Sequence, residues 1–166
     1  MKITDTAAII ARARAAEGDL PPETRLFVDP FAHLFAGDLD ESAEAFGSVP
    51  FLRDQVRIRT RFIDDFVRRG VADGLRQIVI LGAGFDCRAL RLDEIVATRS
   101  KVYEVDFDEQ LATKRAILEA GGVAIPDHLR FVACDLVADD FESSLLAVKC
   151  KDCNRTAGAE QHQRGG

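Results

Sequence analysis

No apolar run in these 166 residues approaches the roughly 20 that a membrane-spanning helix needs. No membrane partner is therefore expected. A secretory leader is not expected either. The opening MKITDTAAIIARARAAEG carries Asp5 and Glu17 and has no unbroken apolar centre. A basic surplus is also missing: 22 Lys and Arg stand against 28 Asp and Glu, a net charge of −6. That argues against a nucleic-acid partner, whose phosphates call for a basic face. Cysteine is scarce, with 4 in all, and only Cys150 and Cys153 lie close together. This suits free thiols in a reducing cytoplasm better than a disulfide framework. No repeat or low-complexity tract is visible before residue 147. What is present is 47% hydrophobic and 30% charged, the balance of one globular domain.

Residues 4–17 predict an Ala-rich helix that Thr4, Asp5 or Thr6 could cap and Gly18 could close. Residues 18–50 are mostly connection, broken at Pro21-Pro22, Asp29-Pro30 and Gly47-Ser48-Val49-Pro50. Between the breaks Phe27, Val28, Phe31, Leu34 and Phe35 need a core, so the segment is expected to dock as a cap. Residues 51–69 predict a second helix. At about 100° per residue, Leu52, Val56, Phe62, Ile63, Phe66 and Val67 share one face. Arg53, Asp54, Arg57, Arg61, Asp64 and Arg68 share the other. Arg59 falls within about 20° of the centre of the apolar stripe. A charge there is buried or faces a cleft, and burial without a partner costs several kcal/mol. An internal ion pair or snorkelling stem and a contact to an anionic ligand group both stay open.

From residue 76 the pattern changes. Gln77 to Leu81 reads as a strand buried on both faces, and Gly82-Ala83-Gly84 follows directly. Val102 to Asp106 is a second strand. Asp108 to Ala120 is a helix, with Asp108 as N-cap and Gly121-Gly122 as its stop. On it Leu111, Arg115 and Leu118 share a face, the Arg115 stem serving as cover. Arg130 to Asp135 is a third strand, and Asp140 to Leu146 starts another helix. The alternation implies a parallel sheet with right-handed crossovers.

Three features sit at the carboxyl ends of neighbouring strands, where open parallel sheets bind ligands. The Gly82–Gly84 turn lets a ligand approach the backbone. Asp106, 22 residues after Gly84, stands where an acid accepts from ribose hydroxyls. Asp135 can accept from an adenine amino group. Together they point to an adenosine-type ligand. The third glycine of a dinucleotide fingerprint is Cys87 here, which disfavours a pyrophosphate, and no phosphate-binding Lys or Ser/Thr follows. S-adenosylmethionine has a carboxylate instead, which would give Arg59 a partner.

IRTRFIDDFV, QIVILGAGFDCRALRLD, VYEVDF and ACDL, in this order, resemble the leucine carboxyl methyltransferase family. More narrowly they resemble its bacterial branch of S-adenosylmethionine-dependent O-methyltransferases. Asp29-Pro30-Phe31 resembles that family's cap motif. The resemblance implies a partial doubly wound, Rossmann-like α/β sheet with an N-terminal helical cap. Residues 1–75 would be the cap, and 76–146 the first half of a cofactor-binding domain. It implies S-adenosyl-L-methionine as cofactor and methyl transfer to a carboxylate or hydroxyl of a small acceptor, chiefly by holding the nucleophile in line with the methyl. Arg59 would bind the methionine carboxylate. Gly82 and Gly84 would underlie the methionine and ribose portions. Asp106 would be the ribose acid, and Asp135 and Leu136 the adenine pair. Either Arg12 or Arg14 would reach the cofactor from the first helix.

The family continues with a fourth strand, a methionine-tyrosine pair and a substrate lid, and the motifs are read to stop near Leu145–Leu146. Residues 147–166 are expected to be a disordered, aberrant tail. The chain is then expected to be incomplete and weakly active or inactive, with Ile78–Leu81 an open edge prone to self-association. A non-catalytic remnant and an NAD-dependent oxidoreductase are the competing readings. Cys150-x-x-Cys153 is half of a zinc site without a second pair, and His162 is too isolated to complete it, so no metal is expected. His33 and His128 are expected to be solvated or capping, and Asp139-Asp140 to start a helix.

Overall fold

The computed structural model describes residues 3–37, 49 and 51–148. Gly47, Ser48, Pro50 and residues 149–166 of the expected 147–166 tail, with Cys150, Cys153 and His162, lie outside the described residues, whereas residues 147 and 148 are helical rather than part of a disordered tail. Helix α1 spans Ile3–Ala15, so Thr4 to Thr6 belong to its first turn rather than preceding it. A 3₁₀ turn covers Ala32–Phe35, and α2 covers Leu52–Ala72. Strand β1 is Gln77–Leu81. Two short helices follow, α3 at Arg88–Arg91 and α4 at Asp93–Thr98. Then come β2 at Lys101–Asp106, α5 at Asp108–Ala120 and β3 at Leu129–Ala133. Residues 141–148 form a last helix, α6.

The three strands are parallel in the order β1-β2-β3, as the alternation of elements predicts. On one face Ala89, Leu92 and Ile95 of α3–α4 pack with Val71, Val102 and Leu129, against Ile78 and Ile80. On the other face Tyr103, Val105, Val132 and Cys134 meet Phe141, Leu145 and Val148 of α6. That second cover stops at β2. Val79 and Leu81 of β1 share its face through their register with Tyr103 and Val105, yet are 40% and 56% exposed. The expectation of a strand buried on both faces therefore fails for β1, because no described element covers one face of it. Among the described residues β1 also pairs only with β2, which leaves its outer edge open.

The N-terminal segment docks as expected. Phe35 stacks on Phe85 with ring centroids 4.6 Å apart, and Ala11, Cys87 and Leu118 complete that cluster. Phe27 is buried, but Val28 is exposed. Leu111 and Leu118 are buried on α5, and the Arg115 guanidinium lies 4.6 Å over the Phe131 ring, so its side chain does act as cover. Two local expectations are corrected. The N-cap of α5 is Phe107, without a side-chain cap bond, and Asp108 is inside the helix. His128 is buried rather than solvated, its Nε2 2.8 Å from the Ala89 carbonyl oxygen.

The larger correction concerns α2. Its buried residues are Val56, Thr60, Asp64 and Val71, a face about a quarter turn from the predicted stripe at 100° per residue. Phe62 and Phe66 are 65% and 64% exposed, whereas Asp64 is fully buried. Pairing is the cause. Asp64 accepts from Arg91 at 2.7 Å on both oxygens and from Arg88 Nε at 2.8 Å. Such bidentate, charge-assisted bonds compensate the burial of a carboxylate.

Candidate functional site

The turn after β1 is built on two glycines in the left-handed region, Gly82 at φ 59° and Gly84 at φ 50°. A Cβ on Gly82 would meet nothing within 4 Å, so that side of the turn is open; one on Gly84 would press Ala7 Cβ at 3.3 Å. Strand β2 anchors the turn. The Ala83 amide donates to the Val105 carbonyl at 3.1 Å, and the Gly84 amide to Asp106 Oδ2 at 2.7 Å. The other Asp106 oxygen accepts from the Phe107 amide at 2.8 Å. Asp106 is thus both a structural tie and a buried carboxylate with spare lone pairs.

A cavity of about 640 Å³ opens at this end of the sheet, lined by α1, α2, the glycine turn and the start of α5. It brings together Arg59, Gly82, Gly84 and Asp106 from the predicted site. Arg59 is exposed on its helix rather than buried, and among the described residues it makes no ion pair or hydrogen bond. Of the two candidates on α1, Arg14 lines the cavity and Arg12 does not. Arg14 is committed, its Nε 3.0 Å from Asp29 Oδ2 and its Nη2 donating to the Phe85 carbonyl. Asp135 and Leu136 are not in the wall. They follow the end of β3, where Asp135 Oδ1 accepts from the Val137 and Ala138 amides at 2.9 and 3.3 Å. Leu136 is 44% exposed.

Beneath the cavity lies a buried chain of charges that the sequence patterns did not reveal. Arg14 pairs with Asp29, Asp29 with Arg91, Arg91 and Arg88 with Asp64, and Arg88 with Asp86. Burial drives the Asp86 carboxyl up, but Arg88, Lys114 and Arg14 outweigh it and hold it below the ordinary carboxylate range. Lys114, itself fully buried, donates to Glu104 and to the Asp86 carbonyl. Burial raises Glu104 to about 7, with Lys114 opposing. Burial likewise pushes the Cys87 thiol up, so it packs as an apolar group and not as a nucleophile. Gln110 is a further wall residue that sequence reasoning missed. It is 3% exposed, and neither its amide nitrogen nor its amide oxygen has a partner among the described residues. Its only sequence signal is its place one helical turn after Asp106. Among the described residues no group of three metal-ligating side chains gathers, and no helix is long and apolar enough to cross a membrane.

The leucine carboxyl methyltransferase family model matches residues 7–158, which runs past Leu146. Three similar proteins are provisionally named S-adenosyl-L-methionine-dependent methyltransferases. One from Frankia alni is 42% identical over 144 residues, spanning 75% of this chain and 48% of the relative. One from Mycolicibacterium paratuberculosis is 32% identical over 93% of this chain and 54% of its own. One from Streptomyces avermitilis is 36% identical over 86% of this chain and 52% of its own. The chain spans about half the length of these curated relatives. With the motif order, the parallel sheet and the glycine turn tied to Asp106, this match settles the family: the chain belongs to the leucine carboxyl methyltransferase family.

Proposed function

We propose that this chain binds S-adenosyl-L-methionine in the cavity at the ends of β1 and β2 and serves methyl transfer to an oxygen of a small acceptor. The observation that carries the reading is the convergence on one cavity of Arg59, which has no partner among the described residues, two left-handed glycines and the Asp106 carboxylate. The bound cofactor supplies an electrophilic methyl group on a sulfonium sulfur. Arg59 holds the methionine carboxylate through charge-assisted hydrogen bonds. Gly82 leaves the backbone open to close approach. Asp106 keeps one face of its carboxylate for ribose hydroxyls. Asp135 and Leu136, just past β3, are assigned the adenine. A carboxylate acceptor is favoured over a hydroxyl, because it is ionised at pH 7 and needs no base. Both carboxylates of the cavity wall are already engaged, Asp86 by Arg88 and Asp106 by backbone amides. A cytoplasmic location agrees with the buried free thiols of Cys87 and Cys134.

Isothermal titration of the whole chain with S-adenosylmethionine, S-adenosylhomocysteine and NAD tests the reading. Heat is expected with the first two only. Binding of NAD alone would replace the proposal with the oxidoreductase, and three flat titrations would leave a non-binding remnant. Arg59→Met sharpens the test. S-adenosylmethionine affinity should fall at least about tenfold, or roughly 1.4 kcal/mol. The affinity of 5′-methylthioadenosine, which lacks the carboxylate, should hold, and so should the melting temperature without ligand. Equal weakening of both ligands would make Arg59 a structural residue.

A further inference from the structure

We infer that Gln110 is a further ligand-binding residue of this cavity, and that its side-chain amide both donates to and accepts from the hydroxyls of a ribose held against Asp106. The inference rests on the nucleoside-cofactor reading above and adds a residue which that reading does not contain. Gln110 lies in the first turn of α5 and lines the same wall as Asp106 and Phe107. It is 3% exposed, and both heteroatoms of its amide lack a partner among the described residues. A buried amide without partners destabilises the empty protein, so a group that satisfies it gains more than the same contact would in water.

The buried arginines of the wall are held in ion pairs. Arg14 holds Asp29 and Phe85, and Arg88 holds Asp64 and Asp86. Thr6 and Thr60 add hydroxyls to the wall, but Gln110 is the wall residue whose neutral donor and neutral acceptor are both buried without a partner among the described residues. A hydroxyl is the matching neutral group, since it too donates and accepts. A methionine carboxylate would match Arg59 instead, on the α2 side of the cavity. The predicted adenine residues, Asp135 and Leu136, lie outside the wall. A vicinal diol against Asp106 and Gln110 therefore fits this corner best, the carboxylate taking one hydroxyl and the amide the other.

The test is a ligand-by-variant cycle on the whole chain, with adenosine, 2′-deoxyadenosine and 3′-deoxyadenosine as probes and S-adenosylhomocysteine as control. In the unaltered chain, removal of one of the two hydroxyls should weaken binding at least about fivefold. Gln110→Met should weaken adenosine and S-adenosylhomocysteine by a similar factor. It should also erase the discrimination against at least one deoxynucleoside, while the melting temperature without ligand holds or rises. Gln110→Asn, which keeps the amide but shortens its reach, is held to the same outcome if the Met variant does not fold. Full affinity and unchanged discrimination in either variant would overturn the assignment and leave the cofactor reading intact. If the unaltered chain binds neither S-adenosylhomocysteine nor adenosine, the cofactor reading itself fails and the Gln110 assignment falls with it.

Discussion

Helix α2 presents two faces that invert the usual distribution of charge. Its inner face carries Asp64, fully buried between Arg88 and Arg91. Its outer face carries Ile58, Phe62 and Phe66, each about two-thirds exposed. The sheet repeats the contrast. Glu104 of β2 is buried against Lys114, while Val79 and Leu81 of β1 stand in the open. In both regions the orientation follows partners rather than hydropathy. A carboxylate with two guanidiniums turns inward, and a phenyl ring turns outward where no described element meets it. An amphipathic pattern reports which side chains prefer to be covered; it does not report which cover is present.

The largest effect expected from breaking this contrast is at Asp64. Asp64→Ala leaves Arg88 and Arg91 without their shared carboxylate in a buried setting, which should cost about 3–5 kcal/mol. The melting temperature should drop by roughly 10 °C, at about 2–4 °C per kcal/mol for a chain of this size. A loss under about 1 kcal/mol would mean that water replaces the carboxylate, and the charge chain would then be peripheral.

The pair on the sheet sharpens the comparison through pH. Burial raises the Glu104 carboxyl to about 7, against its ordinary value of 4.5. A raised carboxyl favours the folded state below the ordinary value, and that contribution is lost as pH rises through about 7. Lys114 opposes the rise, so Lys114→Met should push Glu104 further up. The variant should then lose about 3 kcal/mol at pH 8, where Glu104 must either ionise alone in the core or take up a proton. It should lose clearly less at pH 5, where Glu104 is neutral. Urea unfolding at the two pH values reads the difference. Equal losses would show that Lys114 acts through packing alone.

Much of the sheet was legible because buried strands and their turns announce themselves locally. Gln77–Leu81 and the α5 span Asp108–Ala120 match the structure residue for residue. Gly82, Gly84 and Asp106 were legible for the same reason, as a turn and an acid at strand ends, and the structure adds the bond that joins Gly84 to Asp106. Asp64 was not legible as a core residue. Its partners Arg88 and Arg91 lie 24 and 27 residues away, and helical periodicity carries no information about them. The i,i+3 spacing of those two arginines, which puts them on one helix face, was the one available hint. Gln110 escaped because an amide on a helix is ordinary until its burial without partners is seen. The edge of β1 was foreseen, but its exposed face was not, since a run of apolar residues looks the same whether one side or both are covered.

The smallest effect on stability, and the sharpest test of the outer region, is expected at Phe66. A ring 64% exposed contributes little to folding, so Phe66→Glu should change unfolding free energy by no more than about 0.5 kcal/mol. Association should respond far more. An open strand edge offers unpaired backbone groups to another chain, and exposed apolar side chains such as Phe62, Phe66 and Leu81 add area that water disfavours. The chain is expected to self-associate, with a sedimentation coefficient that rises with protein concentration. Phe66→Glu should lower that rise through like-charge repulsion and lost apolar area, and a second charge, Leu81→Lys on the β1 edge, should lower it further. If the unaltered chain sediments as a single monomer over the whole concentration range, the outer face of α2 and the edge of β1 are tolerated in water. If Phe66→Glu instead destabilises the fold as much as Asp64→Ala does, the ring is part of the core and the contrast between the two faces of α2 collapses.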